Sequence, residues 1–225
     1  MFEGFSQQSI DFLWGIRLNN ERSWFMAHKG EFQAHVDGPL RELAREVTER
    51  MREKYPKLEL ECKVSRIYRD ARRLHGRGPY KDHLWFSLRR AGVERGGFPG
   101  FYFEIAPHYY SIGMGCWDAT PMAAAKLRAR IDRDPKPLEK LARKLERYPD
   151  FALYGEEYKR PKGDPGPLLA PWYNRRQVGI GADFNCEGVL FTPELADQVV
   201  EGFEFLLPFY EYLMSMAGDP TPENY

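Results

Sequence analysis

The run Phe101-Tyr102-Phe103-Glu104-Ile105-Ala106-Pro107-His108-Tyr109-Tyr110-Ser111-Ile112-Gly113-Met114 repeats large apolar residues at every second position, on both sides of Pro107-His108. A period of two belongs to a β-strand, whose side chains point to opposite faces in turn. A short break holding a proline between two such runs predicts a tight antiparallel connection. Upstream, Leu84, Phe86 and Leu88 alternate with Trp85, Ser87 and Arg89 in the same way. Alternation of this kind fits an antiparallel sheet with one covered and one solvated face. Residues 64–70 read as a further strand, with Arg66, Tyr68 and Asp70 on one face and Ile67 and Arg69 on the other.

Helical spacing flanks the strands. Ile10, Leu13, Trp14 and Arg17 mark a helix over about 6–18, and Asn20 is placed to cap a second one through Trp24, Phe25 and His28. Phe32, Val36, Leu40, Leu43, Val47 and Met51 form one helix face, with Gly38-Pro39 requiring either a bend or a fresh start. Thr120-Pro121 and Asp134-Pro135 open two shorter helices, and Thr192-Pro193 opens a long one through Leu195, Val199, Phe203, Leu206 and Tyr210. Residues 177–180 and 188–191 read as further short strands, and 155–171 as a basic loop rich in Pro and Gly. Helices, then strands, then helices is an α+β order. The expectation is a single α+β domain over 1–215, mainly an antiparallel sheet with N-terminal helices and a long C-terminal helix packed on it, followed by a disordered tail over 216–225.

Lys plus Arg and Asp plus Glu both number 33, so the formal charge is zero. The distribution is uneven. Nine basic residues between Lys63 and Arg90 face only Asp70 and Asp82, a local +7 balanced by −7 elsewhere. Cations of one sign on a shared face raise the local anion concentration. Three widely separated cysteines, the lack of a basic-then-apolar leader and the lack of any long apolar window point to a soluble cytoplasmic protein with no membrane partner.

Motif searches exclude several chemistries. There is no GxSxG elbow, no phosphate-loop motif and no HExxH or CxxC ligand spacing. His28 and His35, seven apart, share a helix face, but two histidines make no metal site by themselves, and no cofactor is indicated. The informative stretch is Arg66-Ile67-Tyr68-Arg69-Asp70-Ala71-Arg72-Arg73, followed by Gly78-Pro79-Tyr80-Lys81. Guanidinium forks bind phosphate or carboxylate, and neighbouring aromatics can stack a base or sugar.

These residues, taken with Asn19-Asn20, Trp24-Phe25, His28-Lys29, Pro99-Gly100-Phe101-Tyr102, Gly113 to Trp117 and Arg160-Pro161-Lys162-Gly163, resemble the domain-of-unknown-function 2461 family of conserved hypothetical proteins from bacteria and fungi. The resemblance spans nearly the whole chain and implies no activity. Between Arg72 and Pro79 the family usually reads like Arg-Phe-Ser-Lys-Asp-Lys, whereas this chain has Arg73-Leu74-His75-Gly76-Arg77 in place of the last five. Charge is kept there while a serine and a carboxylate are lost, which favours binding over proton transfer.

The leading expectation is a basic groove in which Arg69, Arg72 and Lys81 hold an anionic ligand: a nucleotide, a phosphorylated metabolite or a nucleic acid. Asp70 and Tyr80 would orient them, Trp117 would cover a pocket, and Lys162 would sit in a closing loop. The rival structural reading pairs each arginine with its own acid. Two functional rivals are a phosphoester enzyme with Asp70 or Glu104 as base, and an interaction module presenting Trp14, Trp85 or Trp172 on an exposed aromatic patch.

Overall fold

The structure, a computed structural model, describes residues 1–70, 72, 78–93, 98–116 and 119–222. Its order is α1 (Gln7–Leu18), α2 (Arg22–Ala27), α3 (Lys29–Phe32), a π turn (Gln33–Asp37), α4 (Gly38–Lys54), β1 (Leu60–Val64), β2 (Leu84–Arg90), β3 (Gly100–Ile105) and β4 (Tyr109–Gly115). It continues with α5 (Pro121–Arg133), α6 (Lys136–Glu146), β5 (Ala152–Tyr154), α7 (Ala170–Tyr173), β6 (Gly179–Asn185) and α8 (Leu195–Ser215). The strands form one antiparallel six-stranded sheet in the order β1-β2-β3-β4-β6-β5. The α+β class and the long C-terminal helix agree with the sequence reading.

The chain falls into two compact units. One comprises Met1–Ala91, Tyr102–Ile112 and Phe184–Glu201, the other Gly92–Phe101, Gly113–Asp183 and Gly202–Tyr225. In the first unit the alternating residues of β2 and β3 form the core. Phe103 is fully buried, with its ring 6.0 Å from Phe5, 5.7 Å from Phe86 and 6.1 Å from Tyr110. The β3–β4 connection is as tight as Pro107-His108 implied, closed by Ala106 N–H donating to the Tyr109 carbonyl at 2.9 Å. In the second unit Phe101 stacks on Tyr210 of α8 at 4.6 Å and tilts against Phe203 at 5.1 Å. The stripe read from Leu195 to Tyr210 is thus the buried face of α8.

At Gly38-Pro39 the chain neither breaks nor starts afresh: Phe32, Gln33, Asp37 and Gly38 all keep right-handed helical backbone, and a π turn joins α3 to α4. Pro39 follows in the first turn of α4 and has no N–H to offer the carbonyls of the π turn before it. Ser9 Oγ donates to the His35 carbonyl at 2.6 Å, supplying a partner within that turn. Phe32, Val36, Leu40, Leu43, Val47 and Met51 are all buried, as their spacing required.

Several boundaries differ from the sequence reading. Strand β1 is Leu60–Val64, paired with β2 from Leu60↔Arg90 to Val64↔Phe86; beyond it, 65–70 is an irregular arm, not a regular strand. Gly188–Phe191 is a 3-10 turn rather than a strand, because Gly188 adopts φ +56°. Glu21, not Asn20, occupies the N-cap position of α2, without a side-chain capping bond. Residues 216–219, assigned to a disordered tail, are structured: Met216–Gly218 form a 3-10 turn with Met216 buried, and Asp219 accepts from Arg130 Nε and Nη2 at 2.7 Å each.

Phe103→Ala removes the ring at the centre of the first unit's aromatic core. It is expected to cost about 3–5 kcal/mol, read as a lower urea midpoint at unchanged m-value.

Candidate functional site around the Asp82 bulge

The basic segment lies on a distorted hairpin arm beyond β1 and β2. Ser65 N–H donates to the Trp85 carbonyl at 2.7 Å, and Lys81 N–H donates to the Ile67 carbonyl at 2.7 Å. Asp82, His83 and Leu84 therefore stand opposite the single residue Arg66, an excess of two on one side. Such a bulge breaks the ladder and re-aims side chains. Pairing resumes beyond it at the Tyr68↔Tyr80 bridge, with Arg69 N–H on the Pro79 carbonyl at 2.8 Å.

Asn20 holds the far side of the arm. Its Nδ2 donates to the Tyr80 carbonyl at 2.9 Å, and its Oδ1 accepts the Tyr80 N–H at 2.9 Å. Both backbone groups that Tyr80 turns away from Tyr68 are thereby satisfied, as by a neighbouring strand. A Cβ at Gly78 would lie 2.1 Å from Asn20 Oδ1, so the close approach needs glycine there.

Asp82 is the hub. Its carboxylate receives Arg69 Nη2 at 3.3 Å and His83 Nδ1 at 3.1 Å, with Arg17 Nε 3.7 Å away. Burial pushes this carboxyl up, but hydrogen bonds from His83 and from the backbone, with the charges of His83 and Arg69, outweigh it and hold the group below its ordinary value of 3.8. Arg69 is inward-facing, as the alternation required, and its Nε donates to the Tyr80 carbonyl at 2.7 Å.

Lys81 Nζ donates to the Arg66 carbonyl and stands 4.7 Å from the centre of the Trp85 ring. Burial lowers this ammonium's pKa first, and the charges of Arg69 and Arg66 lower it further. His83 stacks near the same indole, at 5.7 Å. Asp82 thus gathers Arg17, Arg69 and His83, while Lys81, tied to the Arg66 carbonyl, lies within the fields of Arg69 and Arg66.

The remaining expected site residues scatter. Arg72 is 88% exposed and forms a bidentate pair with Asp70, at 3.1 and 2.8 Å. Tyr80 is a packing residue, 3% exposed and stacked on Phe25 at 4.4 Å; it reaches the site only through its carbonyl. Lys162 belongs to the second unit, its Nζ 5.0 Å from the Tyr158 ring centre. Trp117, and Arg73 through Arg77, lie outside the described residues. Of the two expected bases, Asp70 is held by Arg72, and Glu104 accepts the Tyr109 hydroxyl at 2.8 Å. His28 and His35 do line one hollow, together with Asp11, Trp24 and Glu31. Among the described residues no group of three or more His, Cys, Asp or Glu side chains is arranged to hold a metal.

Comparison with known proteins places the chain in a family. The model described as "Conserved hypothetical protein (DUF2461)" matches residues 8–212. The chain belongs to that family. A search of curated proteins finds no match. The DUF2461 match contains every residue of the bulge site, from Arg17 and Asn20 to Trp85. Asp82, His83 and Arg17 escaped the sequence reading because a regular strand register hides a bulge; the one available signal was the adjacency of Asp82-His83 to Tyr80-Lys81.

Asn20→Ala leaves the Tyr80 backbone groups without these partners and is expected to cost about 1–3 kcal/mol, read by urea unfolding. The depressed Asp82 carboxyl stabilises the fold above the unfolded carboxylate range, near pH 4, and this contribution fades as pH falls through the lower folded value. The gap in thermal midpoint between the wild type and Asp82→Asn should be widest near neutral pH and should close below about pH 4.

Proposed function

We propose that this DUF2461 protein binds a small phosphorylated ligand at the cations around the Asp82 bulge, chiefly Arg66 and Lys81. The observation that carries the reading is the imbalance there: Arg17, Arg69 and His83 share the one carboxylate of Asp82, while Lys81 sits on the Arg66 carbonyl within the fields of Arg66 and Arg69. Arg69 is the anchor in this reading. Its guanidinium is committed to Asp82 and the Tyr80 carbonyl and holds the arm in shape. Lys81 has no carboxylate in ion-pair range among the described residues and is crowded by like charge. An incoming anion relieves that crowding, and a partly desolvated ammonium gives a strong charge-assisted hydrogen bond to phosphate.

The engagement of Asp70 and Glu104 favours binding over hydrolysis by either carboxylate. Trp172 is buried, while Trp14 and Trp85 each lie beneath a cation, which removes the three tryptophans as one exposed apolar face.

Titration with inorganic phosphate, ADP and a short oligonucleotide tests the proposal. Arg66→Ala/Lys81→Ala is expected to weaken phosphate or ADP binding by at least about tenfold. Equal affinity of this variant and the wild type would refute it, and tight binding only of the oligonucleotide, falling steeply with salt, would replace the small ligand with nucleic acid.

A further inference from the structure

We infer that loop 155–163 of the second unit is a separate binding site for phosphate groups, independent of the Asp82 bulge. The loop is zipped along 174–176. Arg175 Nη1 donates to the Gly155 carbonyl at 2.6 Å, Arg176 N–H to the Glu156 carbonyl at 2.6 Å, and Tyr158 N–H to the Asn174 carbonyl at 2.9 Å. The Asn174 side chain then clamps the far end. Its Oδ1 accepts Lys162 N–H at 2.6 Å, while its Nδ2 donates to the carbonyls of Gly163 at 3.0 Å and Ala170 at 3.2 Å. Entry to the loop requires Gly155, at φ +126°, where a Cβ would fall 2.0 Å from the Gln177 carbonyl oxygen. Hydrogen bonding along its length makes this a shaped segment, which lowers the ordering cost of binding.

On this frame the charges are sorted. Glu157 is taken by Arg175 at 3.2 Å and Glu156 by Arg176 at 3.2 Å. Lys159, Arg160 and Lys162 have no carboxylate in ion-pair range among the described residues, yet all three line one open hollow of about 660 Å³ with Tyr158, Arg176 and the two paired acids Glu156 and Glu157. Tyr158 positions two cations at once. Lys162 Nζ lies 5.0 Å from its ring centre, and the Arg128 guanidinium lies 5.3 Å from it while donating to its hydroxyl at 3.3 Å. Three uncompensated cations from four consecutive positions, in a hollow large enough for a nucleotide-sized molecule, match the three-fold negative periphery of a phosphate ester better than a single carboxylate. The acids of the hollow are already paired, which leaves its three other cations to an incoming phosphate compound.

The test titrates pyrophosphate and ADP into the full chain by calorimetry. It compares the wild type, Lys159→Ala/Arg160→Ala/Lys162→Ala, Arg66→Ala/Lys81→Ala, and a control, Lys140→Ala/Arg143→Ala, which removes exposed helical charge elsewhere. The loop variant is expected to lose one class of site, or to bind it at least about tenfold more weakly, with an unchanged thermal midpoint. The control and Arg66→Ala/Lys81→Ala should keep that class. Loop-variant isotherms identical to wild type, an equal loss in the control, or no binding of either compound by the wild type would overturn the inference. A loss seen only in Arg66→Ala/Lys81→Ala would overturn it while leaving the bulge site standing.

Discussion

Two hydrogen bonds from the amide of Asn20 to the backbone of Tyr80 set the conditions for the rest of the basic segment. An arm with two surplus residues on one side cannot continue a regular ladder, and backbone groups turned away from it need partners from elsewhere. Asn20 supplies them from the turn between α1 and α2, and Gly78 leaves room for it to do so. With Tyr80 fixed, its carbonyl is fixed too, and that carbonyl orients Arg69 toward Asp82. The local concentration of positive charge is therefore a product of backbone accounting as much as of composition.

What was legible in the sequence was whatever obeyed a single period. Phe101, Phe103 and Ile105, or Leu195, Val199 and Phe203, declare their element because every one of them is buried on one face. Ile67 and Arg69 were also assigned correctly to the inner face, since local alternation survives even where the ladder fails. The failures share a cause: residues whose role depends on a partner remote in sequence. Asn20 has the chemistry of a cap and serves instead as a strand partner sixty residues away. Asp82 counted only as one charge against nine, yet it organises three of its neighbours. The apolar run after Gly188 is consistent with strand or turn, and only the positive φ of that glycine selects the turn.

The neutral total charge conceals a division of labour among the acids. Some are consumed locally, as Asp70 is by Arg72 and Glu156 by Arg176, and those exposed pairs add little stability. Others are structural, as Asp219 is for Arg130, where both partners are largely shielded. Lys81 in the first unit, and Lys159, Arg160 and Lys162 in the second, have no carboxylate in ion-pair range among the described residues. The sequence shows both groups as basic segments, but for the second only the pairing of Glu156 and Glu157 with Arg176 and Arg175 tells that the neighbouring cations are left over.

The π turn at Gln33–Asp37 carries an implication for how this chain can vary in length. Apolar residues four apart drift by about 40° per step around an ordinary helix, so a stripe running from Phe32 through Val36 to Leu40 would gradually rotate out of the core. The wider turn takes back part of that rotation. Removing one residue there would restore tidy α-helical hydrogen bonding and yet misphase everything before it relative to α4. The position is thus a vernier: a single-residue deletion is punished through facing rather than through the backbone.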